Sequence, residues 1–227
     1  MDSDSYLVVD IDNVVAYTDK VMRDVIRNHS RETVELRYED VKHFNYWECA
    51  DSEGRHITRD EWNSTIHPAF SEQANILRIE PYREVRCFLC RLINAGYRIH
   101  LATSRLKQAR VPTLLWLDEY RIPHDALHFV KHGTKHIVFR TCVAIIEDDL
   151  DQARKFAEQG IQSYVLAHPW NDCAATENVT RVQNWHEIVD DLTQQISYVQ
   201  TGGSGAIHIG FLSSTKILSP SRNSSRL

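Results

Sequence analysis

The sequence predicts an α/β fold: a parallel sheet flanked by helices on both faces, with a small helical insert after the first strand. Three observations predict it. Short apolar runs alternate with helical patterns from about residue 81 onward, which is the signature of βαβ units. The stretch YLVVDIDNVV, residues 6–15, ends an apolar strand on two carboxylates, Asp10 and Asp12. Residues 17–80 carry helical patterns and no convincing strand.

The elements follow in order. YLVV reads as the first strand. In the insert, DKVMRDVIRNH reads as a helix. TRDEWNSTIHPAF reads as a second, with Thr58 and Glu61 at capping-box spacing. PYREVRCFLCRLINAG reads as a helix with Pro81 in its first turn and Gly96 at its C-terminal cap. YRIHLAT is a strand, QARVPTLLWLDEY mainly helix, ALHFV a short strand and TKHIVFRT a short helix. VAIIE is an apolar strand, DLDQARKFAEQG a helix stopped by Gly160, and QSYVLA a further strand. NWHEIVDDLTQQI closes the order as a helix capped by Asn184, with Glu187 three residues on. The expected organisation is a core of residues 1–16 and 81–200, a helical cap over 17–80, and a Gly/Ser-rich tail over 201–227 expected to be disordered.

Composition narrows the function classes. The 227 residues are 42% hydrophobic and 25% charged, with a net charge of -5, ordinary for a soluble globular protein. An acidic balance gives no strong nucleic-acid signal. No run of about 18 apolar residues exists, so no membrane span is expected. The acidic N-terminus does not resemble a secretory signal, and five cysteines without such a signal read as reduced thiols in a cytoplasm. The N-x-S/T triplets at Asn63, Asn178 and Asn223 are then chance matches. Cys87 and Cys90 form a C-x-x-C inside a predicted helix, where packing in the core is expected rather than zinc. His124, His128, His132 and His136 recur every four residues, but the spacing crosses a predicted strand and Gly133, so no histidine metal face is expected.

The carboxyl ends of parallel strands are where functional groups gather. The first strand delivers Asp10 and Asp12; the second delivers Thr103, Ser104 and Arg105. Lys131 and Lys135 precede the strand VAIIE, which ends in Glu147, Asp148 and Asp149. Clustered carboxylates resist ionisation unless a cation compensates them. A hard divalent ion with oxygen ligands, Mg²⁺, resolves this and leaves positions for phosphate oxygens and water. One Asp can then attack phosphorus while the second moves protons.

VVDIDNVV, LATSR, a downstream Lys and IIEDD resemble, in order, the four motifs of the haloacid-dehalogenase-like (HAD) phosphohydrolase superfamily over roughly residues 6–195. The resemblance implies a Rossmann-like HAD core with a C1-type cap. TSRLK, WLDEYRIPHDALHF and HPWN…TRVQNWHEI are similar to the 5′(3′)-deoxyribonucleotidase group and its bacterial and phage relatives. Carried over, Asp10 is the nucleophile and Asp12 the general acid/base, its carbonyl also a metal ligand. Thr103, Ser104, Lys107 and Lys135 bind phosphate, with Lys135 preferred over Lys131. Asp148 ligates the metal with Asp10, and Glu147 assists. The pattern departs where Asn13-Val14 replaces the usual Gly-Thr: Asn tolerates the left-handed backbone, while Val14 loses a hydroxyl that helps fix the loop.

The implied function is a Mg²⁺-dependent phosphomonoesterase acting through an aspartyl-phosphate on a small phosphorylated substrate, a (deoxy)nucleotide being one candidate. Two other readings are a non-catalytic binding or regulatory protein on the same scaffold and a polynucleotide-end phosphatase. A carbon–halogen hydrolase would not need Asp12. The aromatics Phe44, Tyr46, Trp47 and Trp62 are expected to pack the cap, a base-stacking platform being the alternative, and Trp116 and Trp185 to pack helix faces.

Overall fold

The computed structural model describes residues 5–172 and 174–200. The expectations for the tail and for Cys173 lie outside them. Six strands form one sheet: β1 (Tyr6–Asp10), β2 (Arg98–Thr103), β3 (Ala126–Phe129), β4 (Ala144–Glu147), β5 (Gln162–Leu166) and β6 (Val179–Val182). Their order is β3-β2-β1-β4-β5-β6, and every pairing is parallel. β1 is therefore central, with β2 on one side and β4 on the other. The strand order reverses there, so the crevice beyond the ends of β1 and β4 is the natural ligand position.

Burial explains why the central strands read as unbroken apolar runs. Leu7 and Val9 face one core cluster, with Trp116, Tyr164 and Trp185. Val8 faces the other, with Ile145, Phe139 and Phe156. A strand covered on both faces has no polar side to alternate. Burying each such aliphatic side chain contributes about 1.5–3 kcal/mol, enough to hold β1 in register while its end carries charge.

Helices α1 (Thr18–His29), α2 (Arg59–Glu61), α3 (His67–Phe70) and α4 (Gln73–Leu77) lie between β1 and β2, and no strand lies among them. α5 (Val85–Asn94), α6 (Arg110–Glu119), α7 (Lys135–Val138), α8 (Leu150–Ala157) and α9 (Trp185–Gln200) complete the order. The helix expected from Thr58 continues from α2 to α3 through a π-helical stretch, Trp62–Ile66. Its capping box is present: Thr58 Oγ1 accepts from the Glu61 N–H at 3.1 Å, and Glu61 Oε2 accepts from the Thr58 N–H at 2.9 Å. Trp116 and Trp185 are buried as expected, and each indole N–H finds a backbone carbonyl, of Ile79 and Val14 respectively.

Two expectations need correction, and one strand is new. Pro81 is not in a helix. It bridges Ala16, and α5 starts only after Glu84, which has φ 64°. The cause is where the chain leaves and re-enters the core: Tyr17 N–H donates to Glu80 O at 2.8 Å and Tyr82 N–H to Val15 O at 2.9 Å, so these residues are held extended. Cys87 and Cys90 are exposed on α5, because Val85, Phe88, Leu89 and Leu92 take its inward face. The edge strand β6, four residues reading VTRV, was not foreseen. Among the described residues no helix is long and apolar enough to cross a membrane.

Candidate active site

Three strand ends converge. β1 ends at Asp10, β2 at Thr103 and β4 at Glu147, followed by Asp148. One carboxylate oxygen each from Asp10, Glu147 and Asp148 lies within 4.8 Å of the others, and all three residues are buried. Lys135, at the start of α7, places its ammonium 2.6 Å from Asp10 Oδ1 and 2.6 Å from Glu147 Oε1. Lys131, the other candidate, is exposed.

The charges do not balance. Burial, opposed by Lys135, pushes the Asp10 carboxyl above its ordinary range, and Asp12 adds to the rise. Burial likewise raises Glu147, and raises Asp148 well above the carboxylate range with help from Asp10 and Glu147. The same carboxylates hold Lys135 firmly protonated. One ammonium, bonded to two of three buried acids, leaves a site that favours further positive charge.

The donor set fits a hard dication. It consists of oxygens only, and Glu147 Oε2 is buried without a hydrogen-bond partner. Asp148 is oriented through Oδ2, which accepts from Asn13 Nδ2 and Trp170 Nε1, each at 3.2 Å. Asn13 has φ 57°, the left-handed conformation expected of it. Its Oδ1 also accepts the Asp19 N–H at 2.8 Å. Val14 is fully buried, and its carbonyl accepts from Trp185. Asn13 and Trp185 thus fix the loop that the absent threonine hydroxyl was expected to leave loose.

Asp12 has a different environment. Its Oδ1 accepts from Thr18 Oγ1 at 2.7 Å and Arg105 Nη2 at 2.8 Å, and its Oδ2 from Thr103 Oγ1 at 3.1 Å. Arg105 Nε reaches both oxygens at 3.1 Å. Burial alone would raise the Asp12 carboxyl, but the Arg105 charge and these bonds together hold it below its ordinary value. The two opening acids are therefore pushed in opposite directions, a pattern of divided roles.

A cavity of about 330 Å³ opens over these groups, within the usual size for a small-molecule site. Asp10, Asp12, Ser104, Lys135, Glu147 and Asp148 line it from the sheet side; Phe44, Tyr46, Trp47 and Trp62 wall the other side. These aromatics also pack on one another: the Tyr46 and Trp62 rings stack at 5.6 Å. They serve as packing and as cavity wall at once.

Two of the sequence-predicted phosphate residues are not among the cavity-lining residues. Lys107 is exposed on a 3-10 turn, Lys107–Ala109, and is not among the cavity-lining residues. Thr103 is fully buried, and its hydroxyl serves Asp12 and the Arg105 N–H rather than the cavity; Ser104 is the hydroxyl residue of this strand end that reaches it. Sequence reasoning missed the partners of Asp12, namely Thr18 and Arg105. It also missed Gln152, which lines the cavity with both side-chain amide atoms buried and without partners. Its place in the first turn of α8, just after the acidic motif, was the available signal. Among the described residues the acidic cluster is the one group with metal-ligand spacing.

The model of the family described as "5′ nucleotidase, deoxy (Pyrimidine), cytosolic type C protein" matches residues 4–196. Solved structures of similar fold include a HAD family hydrolase from Deinococcus radiodurans with bound phosphate and sodium, at 13% identity and TM-score 0.57, covering 84% of this chain and 95% of that one. A haloacid dehalogenase-like hydrolase from Streptococcus pneumoniae aligns at 11% identity and TM-score 0.59, covering 85% and 100%. CbbY from Rhodobacter sphaeroides in complex with phosphate aligns at 13% identity and TM-score 0.54, covering 81% and 96%. No curated protein sequence matches the chain significantly.

Proposed function

The chain belongs to the cytosolic type C deoxy-5′-nucleotidase family and is a phosphohydrolase; from that premise we propose that it is a Mg²⁺-dependent phosphomonoesterase acting on a nucleoside monophosphate through an aspartyl-phosphate. The observation that carries this reading is the buried cluster of Asp10, Glu147 and Asp148, two of them bonded to Lys135, lining a cavity that aromatic rings also line. Residues 17–80 act as a cap over a core of 1–16 and 81–200.

Asp10, the carbonyl of Asp12 and Asp148 would hold Mg²⁺, with Glu147 assisting. The ion would supply charge neutralisation for the phosphoryl oxygens. Lys135 holds Asp10 in place and offers its charge to the phosphoryl group, and the hydroxyl of Ser104 offers it a hydrogen bond. Asp10 attacks phosphorus, the ester P–O bond breaks, and the leaving alkoxide takes a proton from Asp12. Water then attacks phosphorus, Asp12 takes its proton, phosphate departs and the Asp10 carboxylate is regenerated. The negative phosphoryl group entering beside Asp12 opposes Arg105 and raises the proton affinity Asp12 needs for the first step. The aromatic wall suits a flat base, and closure over the reaction excludes water.

Phosphate release from a panel of nucleoside monophosphates, sugar phosphates and p-nitrophenyl phosphate, with Mg²⁺ and with chelator, tests the proposal. Metal-dependent release with a preference for nucleotides is expected. Inertness toward every phosphate would favour a non-catalytic binding role, and preference for phosphorylated polynucleotide ends would replace the small substrate.

A further inference from the structure

Arg105 takes no chemical step itself, yet it makes the most extensive contact with one of the two opening acids. Its guanidinium grips both oxygens of Asp12, through Nε at 3.1 Å to each and Nη2 at 2.8 Å to Oδ1. The third nitrogen, Nη1, is tied back by Thr113 Oγ1 at 3.0 Å, on α6. The Arg105 backbone N–H donates to Thr103 Oγ1 at 3.1 Å, and that hydroxyl donates to Asp12 in turn. The Phe70 ring lies 6.0 Å from the guanidinium carbon. A planar fork fixes both the position and the plane of a carboxylate, which a lysine in the same place would not do.

The exposures set the order of contact. The Asp12 side chain keeps 25% of its surface and the Arg105 side chain 1%. Arg105 is also among the residues that line the cavity, but with so little of its side chain open a substrate meets chiefly Asp12, with Arg105 packed against it. Each of the three guanidinium nitrogens already has a protein partner. This arrangement belongs to a group that acts through its neighbour rather than on the ligand.

We infer that Arg105 is a positioning residue: anchored by Thr113, it fixes the Asp12 carboxylate for proton transfer without itself touching the substrate. The inference rests on the phosphomonoesterase reading above. Arg105, Thr103 and Thr18 approach Asp12 from β2, its following turn and the start of α1, so the proton carrier is set by both the sheet edge and the first helix of the insert. A carboxylate left to rotate would lose alignment with the leaving oxygen and the attacking water, and misplacement on the order of 1 Å costs about a hundredfold.

The test is a double-mutant cycle on a nucleoside monophosphate with Mg²⁺, comparing wild type, Arg105→Met, Asp12→Asn and the double variant. Arg105→Met is expected to lower kcat by about a hundredfold with KM unchanged. In the Asp12→Asn background the same change should cost nothing further, because the group it positions is no longer a proton carrier. Loss of the same factor in both backgrounds, or a rise in KM alone, would overturn the inference and make Arg105 a substrate ligand or a purely structural residue. Should Arg105→Met give no cooperative melting transition, Thr113→Val carries the cycle instead. It removes only the rear anchor, at a residue outside the cavity, and its smaller kcat loss should likewise vanish beside Asp12→Asn. The parent reading fails separately: equal rates for wild type and Asp10→Asn would take down the proposed chemistry and this inference with it, whereas additivity takes down the inference alone.

Discussion

Metal binding should be visible as stability, and the acidic cluster sets the size of the effect. Asp10, Glu147 and Asp148 are 7%, 1% and 2% exposed, and Lys135 bonds to only two of them. The unfolded chain has no such cluster, so an ion bound here binds the native state. At a free Mg²⁺ concentration about a hundred times the dissociation constant, this linkage stabilises by about 2.7 kcal/mol. For a chain of this size each kcal/mol moves the melting temperature by about 2–4 °C, giving a shift of roughly 5–10 °C. The sign with pH follows from the raised carboxyls. A raised folded-state value means the native protein holds protons that the unfolded chain releases. The metal-free contribution is therefore most favourable below the ordinary carboxylate range, about pH 4, and is lost as pH rises through the raised values. Mg²⁺ replaces those protons, so its stabilisation should grow from acid toward neutral pH. Differential scanning fluorimetry of wild type and Asp148→Asn, with chelator and with Mg²⁺, reads all of this. The variant keeps oxygen acceptance from Asn13 and Trp170 while removing one buried charge. Without metal it should melt at or above wild type, and Mg²⁺ should not shift it. An unmoved wild type at saturating Mg²⁺, or an equal shift in Asp148→Asn, would refute the cluster as a metal centre.

Other outcomes follow from the same geometry. Asp10→Asn should lower turnover at least about a thousandfold, or roughly 4 kcal/mol in barrier, measured as released phosphate in the folded variant. Asp12→Asn should cost about a hundred- to ten-thousandfold, with the smallest loss on p-nitrophenyl phosphate, whose leaving group departs with little protonation; a uniform loss across leaving groups would argue against proton transfer. Thr58→Ala removes the cap of the second insert helix and should cost about 1 kcal/mol, seen as a drop of a few degrees in melting temperature without loss of metal binding. Lys135→Met should be the most damaging single change to the cluster, because it leaves Asp10 and Glu147 buried without their cation, at a cost of about 3–5 kcal/mol in denaturant unfolding without metal.

The parts of this site that were legible in the sequence are those carried by strand ends. Asp10, Glu147 and Asp148 each follow directly on an apolar run, so locating the strand locates the acid, and parallel order brings the ends together. Lys135 was legible because it opens the helix leading into β4. The environment of Asp12 was not. Its main partner, Arg105, lies 93 residues along the chain, and nothing local tells whether an arginine after Thr103-Ser104 turns inward or outward. Lys107 was placed near the site by resemblance, and the 3-10 turn that carries it leaves it exposed. Pro81 misled because a helix-start preference was weighed without the backbone bonds that hold residues 80–82 against 15–17. The insert's helices were readable from their capping box and periodicity, but the π-helical stretch at Trp62–Ile66 has no pattern that distinguishes it from α-helix.

The central claim is that Asp10 itself carries the phosphoryl group, and a trapped intermediate tests it most directly. Asp12→Asn, incubated with p-nitrophenyl phosphate and Mg²⁺ and quenched in acid, lacks the base that would release the aspartyl-phosphate. Peptide mass spectrometry should then find one added phosphoryl group on the peptide containing Asp10, lost on treatment with hydroxylamine and absent from the Asp10→Asn double variant. A phosphoryl group on any other residue, or continued turnover with no covalent adduct, would contradict the account.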